Sequence, residues 1–333
     1  MQQFEIKENE AGQRFDKYLH KLLPGAPASF FYKMLRKKNI TLNGKKAEGK
    51  EKLSVGDKIS LFLSDETIDV FRETCYSNEY TDAYHMLKNV RIIYENQQLA
   101  LVHKPVGILS QKAKQEDISV NEWFIGYMLS KRQIINEDLQ TYKPAICNRL
   151  DRNTSGIIIC AKTLAASQEL SRLIAERKIR KFYRLFVKGK VKEAGLLDGY
   201  LIKDRDKNKV RIIPARESDK VILTQDEKAS YIQTRYEPIQ TLSDMTYLEV
   251  ELMTGKTHQI RAHLAFLGHP LLGDYKYGDK AFNEHYQKLY GIKSQLLHAY
   301  RLEFPDNELL FQGKSICITD KEPDVFQQLL EKK

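Results

Sequence analysis

The sequence predicts an α+β protein in which a small basic unit precedes a larger domain built on a central mixed, mainly antiparallel sheet. Three observations support this. The 333 residues suffice for about two domains. Strand-like runs follow one another from Val90 onward with few helical patterns between them. Lys and Arg outnumber Asp and Glu by ten, a balance that favours polyanionic partners.

The elements follow in chain order. Phe15, Tyr18, Leu19 and Leu22 recur at helical spacing, so a helix is expected from Arg14 to Leu23. Pro24, Gly25 and Pro27 break it. A second helix is expected after Ser29 as N-cap, carrying Phe30, Phe31, Met34 and Leu35. Ile40 to Leu42 reads as a strand entering an Asn43-Gly44 turn, and Ile59 to Leu63 as a strand after Gly56-Asp57. Residues 64–88 are polar and irregular, the pattern of a linker. Arg91–Tyr94 and Leu99–Val102 form a hairpin ending at Lys104-Pro105-Val106-Gly107. Thr163 to Arg177 is helical, with Ala166, Leu170, Leu173 and Ile174 on one face. Strand character marks 182–187, 210–213, 230–236 and 246–252.

Several classes of protein are excluded by composition. The longest apolar run, near Ile157 to Ala161, is far short of the roughly 20 residues a membrane span needs. Charged residues crowd the first twenty positions, so no secretory segment is expected and a cytoplasmic protein is. Cys75, Cys147, Cys160 and Cys317 form no CxxC pair, and no Cys/His cluster has zinc spacing. No metal site and no membrane partner are expected, and a monomer is. Between Lys33 and Lys52 eight cations face two acids. Among them, Arg36, Lys37, Lys38, Lys45 and Lys46 form either a solvated face or a compact patch for an RNA backbone.

Three stretches carry chemistry. In Asn148-Arg149-Leu150-Asp151-Arg152-Asn153-Thr154-Ser155-Gly156 a carboxylate lies between two arginines before a buried strand. It reads as an ordinary polar turn, or as a carboxylate kept ionised by flanking cations, as a nucleophile requires. Thr254 to Leu264 contains Gly255-Lys256-Thr257, but Val250 stands where a P-loop needs glycine. It reads as a turn, an N-cap at Thr257, and a short helix with Ile260, Leu264 and Leu267 inward, closed by Gly268 and Pro270. That reading leaves Arg261 unexplained. His258 and His263 lie five apart, not the four that aligns two ligands on a helix. Finally, Arg180 to Val187 alternates as a strand, with Arg180, Lys181 and Tyr183 in a segment dense in cations. Tyr183 is there either to pack or to stack on a base.

Two resemblances join these observations. Gly12 to Leu19, Lys33 to Arg36, Leu42-Asn43-Gly44 and Val55 to Ile59 resemble the alpha-L RNA-binding domain, also found in ribosomal small-subunit protein four. Lys104 to Gly107, Arg149-Leu150-Asp151 with Thr154-Ser155-Gly156, Lys181-Phe182-Tyr183 and Thr257 to Arg261 resemble the RluA-type pseudouridine synthases. Gly268-His269-Pro270 to Gly273-Asp274 and Leu297-His298-Ala299 extend that likeness in the same order. It implies an alpha-L domain at 1–64, a linker at 65–88 and a synthase domain of the pseudouridine synthase fold at 89–333.

The resemblance also implies the chemistry. These enzymes cleave the C1′–N1 bond of uridine in RNA, rotate the base and rejoin it through C5 without cofactor. Asp151 would act at C1′, at the ring, or through a glycal route. Arg261 would pair with it bidentately, Tyr183 and Ile260 would enclose the base, and Arg149 would fill the gap left by the flipped nucleotide. His258 is expected among the substrate-binding residues. Arg180 and Lys181, with the amino-terminal patch, would contact phosphates. The expected partner is RNA, large-subunit ribosomal RNA foremost, with transfer RNA as the other. The family usually carries histidine where this chain has Asn148. The alternatives are a non-catalytic RNA-binding or ribosome-assembly factor, and a hydrolase, for which no second carboxylate is evident.

Overall fold

In a computed structural model that describes all residues except 73–77, 205–208, 221–227 and 332–333, the amino-terminal unit comprises five elements. They are β1 (Gln2–Glu5), α1 (Phe15–Leu22), α2 (Ala28–Arg36), β2 (Ile40–Leu42) and β3 (Lys58–Leu61). The strands form an antiparallel sheet in the order β1-β3-β2. The helical spacing of Phe15, Tyr18, Leu19 and Leu22 turns one face of α1 into a core shared with Phe31, Leu35, Ile40 and Ile59. Ser29 lies inside α2 and does not cap it; Pro27, in extended geometry, occupies the N-cap position. Asn43 and Gly44 turn with φ of +52° and +72°, the positive values this turn needs.

Residues 65–88, expected to be irregular, hold α3 (Asp65–Phe71) and α4 (Glu79–Met86). Ser64 caps α3 by accepting from the Thr67 N–H, and Ile68 is buried with the amino-terminal core. These helices are too short to show a strong apolar stripe, which is why the segment reads as a linker. α4 packs against α5 (Val120–Ser130). The contact needs Gly126, where a Cβ would stand 2.0 Å from the Tyr80 carbonyl oxygen. Lys7 pairs with Asp138 at 2.7 Å and Thr141 donates to Glu10, joining the amino-terminal unit to the body that follows.

That body continues β4 (Arg91–Glu95), β5 (Leu99–Lys104), β6 (Ala145–Ile146), β7 (Ser155–Ala161), α6 (Leu164–Ala175) and β8 (Arg180–Lys188). Next come β9 (Gly195–Asp204), β10 (Lys209–Pro214), β11 (Ala229–Thr241), β12 (Met245–Leu252), α7 (Gln259–Phe266) and α8 (Lys280–Tyr290). It closes with β13 (Leu297–Asn307), α9 (Glu308–Phe311), β14 (Lys314–Thr319) and α10 (Asp324–Glu331). One sheet runs β10-β9-β11-β12-β8-β13-β7-β5-β4, with β14 on β13 and β6 on β7. Its described pairings are antiparallel except β13 with β7, so the sheet is mixed and mainly antiparallel. β7 is buried along its whole length, with Phe124 and Leu185 in the core on one side and Leu170 and Leu302 on the other.

The parallel crossing places the residues that precede β7. Gly156 has φ +116°, and a Cβ there would lie 2.3 Å from the Ala299 carbonyl oxygen. Glycine therefore lets β13 approach β7 where the 148–154 loop enters the sheet.

Candidate active site

The loop that carries Asp151 is pinned along its length. Asn148 Oδ1 accepts from the Ile159 N–H at 2.7 Å. Ser110 Oγ both donates to the Leu150 carbonyl and accepts from its N–H, at 2.8 and 3.0 Å. The Arg152 carbonyl accepts from the Gly107 N–H and from Lys104 Nζ, each at 2.9 Å. Lys104 is fully buried and donates also to the Pro105 and Ile108 carbonyls, at 3.0 and 2.9 Å. Burial pushes its ammonium down to about 7, while Asp151 favours the charged form. Only that form supplies three N–H donors.

α7 brings up the opposite wall. Thr257 does not cap it. His258 holds the N-cap position in the left-handed conformation, with φ +58°. The Gln259 side chain ties the turn instead: its Oε1 accepts from the Lys256 N–H at 3.1 Å and its Nε2 donates to Gln233 and Thr234. Ile260 and Leu264 face inward as expected, but Leu267 is exposed.

Arg261 projects from the first turn of α7 and is buried. Its Nη1 donates to Asp151 Oδ2 at 3.0 Å. The bidentate pairing, however, is with Asp274, at 2.7 Å from Nε and 2.9 Å from Nη2. The expectation of a bidentate Arg261–Asp151 pair is thus corrected: the Nε–Nη2 edge of the guanidinium is taken by Asp274, and Asp151 receives a single bond from Nη1. Asp274 also accepts from the Lys276 and Tyr277 N–H groups. Although burial pushes its carboxyl up, the guanidinium and these amides hold it below the usual range. Burial likewise opposes the Arg261 charge, but Asp274 and then Asp151 raise its pKa overall.

Asp151, Arg261, Tyr183, Ile260, His258, Arg149 and Lys181 line one cavity of about 870 Å³. Tyr183 and Lys181 alternate onto the same face of β8. Burial, and secondarily the Asp151 charge, push the Tyr183 hydroxyl well up, so it is neutral at ordinary pH. Burial, and secondarily Arg177, lower Lys181. Lys112, Lys203 and Lys256 add further cations to the lining.

Other expected site residues lie elsewhere. Arg180 falls on the opposite face of β8 by the same alternation and is held by Glu251 and Glu303, at 2.8 and 2.7 Å. Arg36, Lys37, Lys38, Lys45 and Lys46 are exposed on the amino-terminal unit, outside the cavity. Two residues without an assigned role prove central to the geometry, Asp274 and Lys104. Asp274 stands thirteen residues after the arginine it binds, a separation no helical or strand period marks. Lys104 carried a signal in the abrupt Lys-Pro stop after an apolar strand.

A carboxylate–guanidinium–carboxylate chain, its arginine and Asp274 buried and Asp151 half-exposed in a cation-lined cleft, set on a mixed sheet, defines an α+β enzyme for a polyanionic substrate. The fold is that of human RNA pseudouridylate synthase domain containing 4, with a TM-score of 0.59 at 20% identity over 76% of this chain and 95% of that one. The chain belongs to the RNA pseudouridylate synthase family, whose family model matches residues 98–266. It is 34% identical, over 92% of its own length and 90% of the relative's, to an uncharacterized RNA pseudouridine synthase of Mycoplasma genitalium. It is 30% identical to ribosomal large subunit pseudouridine synthase C of Pasteurella multocida, over 90% and 84% of the two chains. The protein is an isomerase that acts on uridine in RNA.

Proposed function

We propose that the chain converts uridines of large-subunit ribosomal RNA to pseudouridine, with Asp151 as the acting carboxylate. The observation that carries this reading is the single Arg261 donor on Asp151 Oδ2 at 3.0 Å, at the wall of the cavity. Among the described residues no donor is bonded to Oδ1. That oxygen is left to meet the nucleoside at C1′, at the ring, or at the sugar proton of a glycal route. The C1′–N1 bond breaks, the base turns, C1′ bonds to C5, and the C5 proton is lost as N1 ends protonated.

Tyr183, neutral, stacks on the uracil, and Ile260 packs its other face. A base in a helix must first leave the stack, at about a few kcal/mol. Arg149 takes the space it vacates, where a planar guanidinium both stacks and donates. Residues 1–64 act as an alpha-L RNA-binding domain, whose exposed Arg36, Lys37, Lys38, Lys45 and Lys46 meet phosphates, as Lys181 does inside the cleft. Residues 89–333 act as the catalytic domain. The large-subunit assignment is supported by relatives such as the Pasteurella multocida protein, whose name specifies that substrate.

The test incubates the native chain and Asp151→Asn with unmodified ribosomal and transfer RNA and maps pseudouridine chemically. Product in large-subunit RNA from the native chain alone, with binding retained by the variant, is expected. Binding without product from either protein points to an assembly factor, and free uracil to a hydrolase.

A further inference from the structure

We infer that Tyr277 and His258 form a positioning relay for Asp151, in which the phenol fixes the histidine tautomer so that Nε2–H is aimed at Asp151 Oδ2. The inference rests on Asp151 being the acting carboxylate, as proposed above. It adds two positioning residues, one of them, Tyr277, outside the cavity lining.

The proton assignment follows from the partners. Tyr277 Oη accepts from the Val210 N–H at 3.1 Å, and a backbone N–H can only donate. The phenol's own proton then needs an acceptor. Among the described residues the ring nitrogen His258 Nδ1, 2.9 Å from Oη, is the atom in place to accept it. A neutral imidazole that accepts at Nδ1 carries its proton at Nε2. Nε2 lies 3.8 Å from Asp151 Oδ2, a gap that closes to a hydrogen bond when the nucleotide fills the cleft. Oδ2 then receives two donors, Arg261 Nη1 and His258 Nε2, and Oδ1 is left free for the reaction.

Two further features hold the relay. His258 is kept in its left-handed backbone conformation by the Gln259 bonds that tie the turn. Tyr277 follows Asp274, whose Oδ1 accepts from the Tyr277 N–H, so the arginine clamp and the relay share a loop. Val210 belongs to β10, the partner of β9, and β9 supplies Lys203 to the cavity lining. An RNA strand that moves this hairpin is therefore felt at Asp151 through Val210, Tyr277 and His258.

The test measures steady-state pseudouridine formation by the full chain on the RNA that the native protein modifies. Tyr277→Phe is expected to lower kcat about tenfold or more with KM within about twofold, because the freed imidazole no longer holds its Nε2–H on the Asp151 carboxylate. His258→Gln places an amide donor near the Nε2 position without needing the phenol and is expected to keep kcat within about threefold. In that background Tyr277→Phe is expected to cost nothing further. His258→Asn keeps a residue that tolerates the left-handed backbone but is too short to reach, and is expected to lose about tenfold. An equal loss from Tyr277→Phe in both backgrounds overturns the relay, because the phenol then acts by packing alone. If Tyr277→Phe does not fold, equal activity of His258→Gln and His258→Asn overturns it. Product from Asp151→Asn would instead refute the reading beneath it.

Discussion

At the scale of single residues, the site is organised by Asp274. A buried guanidinium with one carboxylate partner, itself half in a cleft, would be poorly anchored. Asp274 takes two of its donors at 2.7 and 2.9 Å and is fully buried. Removing one member of such a pair typically costs about 3–5 kcal/mol, because the other charge stays buried without compensation. Asp274→Asn keeps the shape and removes the charge. It is expected to destabilise the chain by roughly 2–4 kcal/mol in urea titrations and to slow single-turnover product formation at least tenfold. RNA affinity in filter binding should be unchanged. Native kinetics in a stably folded Asp274→Asn chain would show that Arg261 needs no anchor. None of this was legible in the spacing of the motif, which left Arg261 unexplained; the family resemblance implied Arg261 as a partner of Asp151 but gave no sign that its fork was engaged elsewhere.

At the scale of elements, the crossing of β7 and β13 is the mechanical foundation of the Asp151 loop. Beside the Gly156 contact, Ser155 Oγ and His298 Nδ1 lie 2.9 Å apart with His298 fully buried. Burial lowers His298 to about 4, and lowers His263, on α7, to about 4 as well. Both histidines are neutral in the fold, whereas in the unfolded chain they take up protons near pH 6.5. Their contribution is therefore complete above pH 6.5 and is lost as pH falls from there toward 4. Asp320 adds nothing in that window: burial opposes its charge, but the hydrogen bond from His103, with Arg91 nearby, holds its carboxyl below the usual range. Urea stability is expected to fall by about 2 kcal/mol per histidine between pH 7 and 5, and His298→Asn should remove close to half of that slope. A pH-independent midpoint would contradict the buried neutral assignment. Alternating strands such as β8 and β12 could be read because one face of each joins the main core while charged residues, Arg180 and Arg184 or Glu249 and Glu251, recur on the other. α5 could not, since Val120, Trp123, Phe124, Ile125 and Met128 are buried around much of its circumference and leave no clear stripe. The start of α7 misled for another reason: Gln259, not the hydroxyl of Thr257, ties that turn.

At the scale of the whole molecule, the excess of ten positive charges is not spread evenly in its effect. The cations around β8 are largely spent internally. Arg180 binds Glu251 and Glu303, Arg184 binds Glu249 and Glu322, and Arg172 binds Glu169 and Glu176. By contrast, Lys37, Lys45 and Lys46 are exposed, and no described carboxylate is ion-paired with them. A cation already paired gives up that partner to meet a phosphate, so sequence density of Arg and Lys overstates what RNA can use. Counterion release then predicts where the salt dependence resides. Replacing Lys37, Lys45 and Lys46 together by Gln should shallow the slope of log affinity against log salt by roughly 2–3, at about 0.7–0.9 per lost phosphate contact. Thermal stability should be unaffected, because exposed unpaired lysines contribute little to folding. Arg180→Gln should leave the slope as it is and cost less than about 1 kcal/mol, since its ion pairs are half exposed. Titrations from 50 to about 200 mM salt distinguish the two. If Arg180→Gln shallows the slope as much as the triple substitution does, the acidic partners on β12 and β13 do not withhold it from RNA.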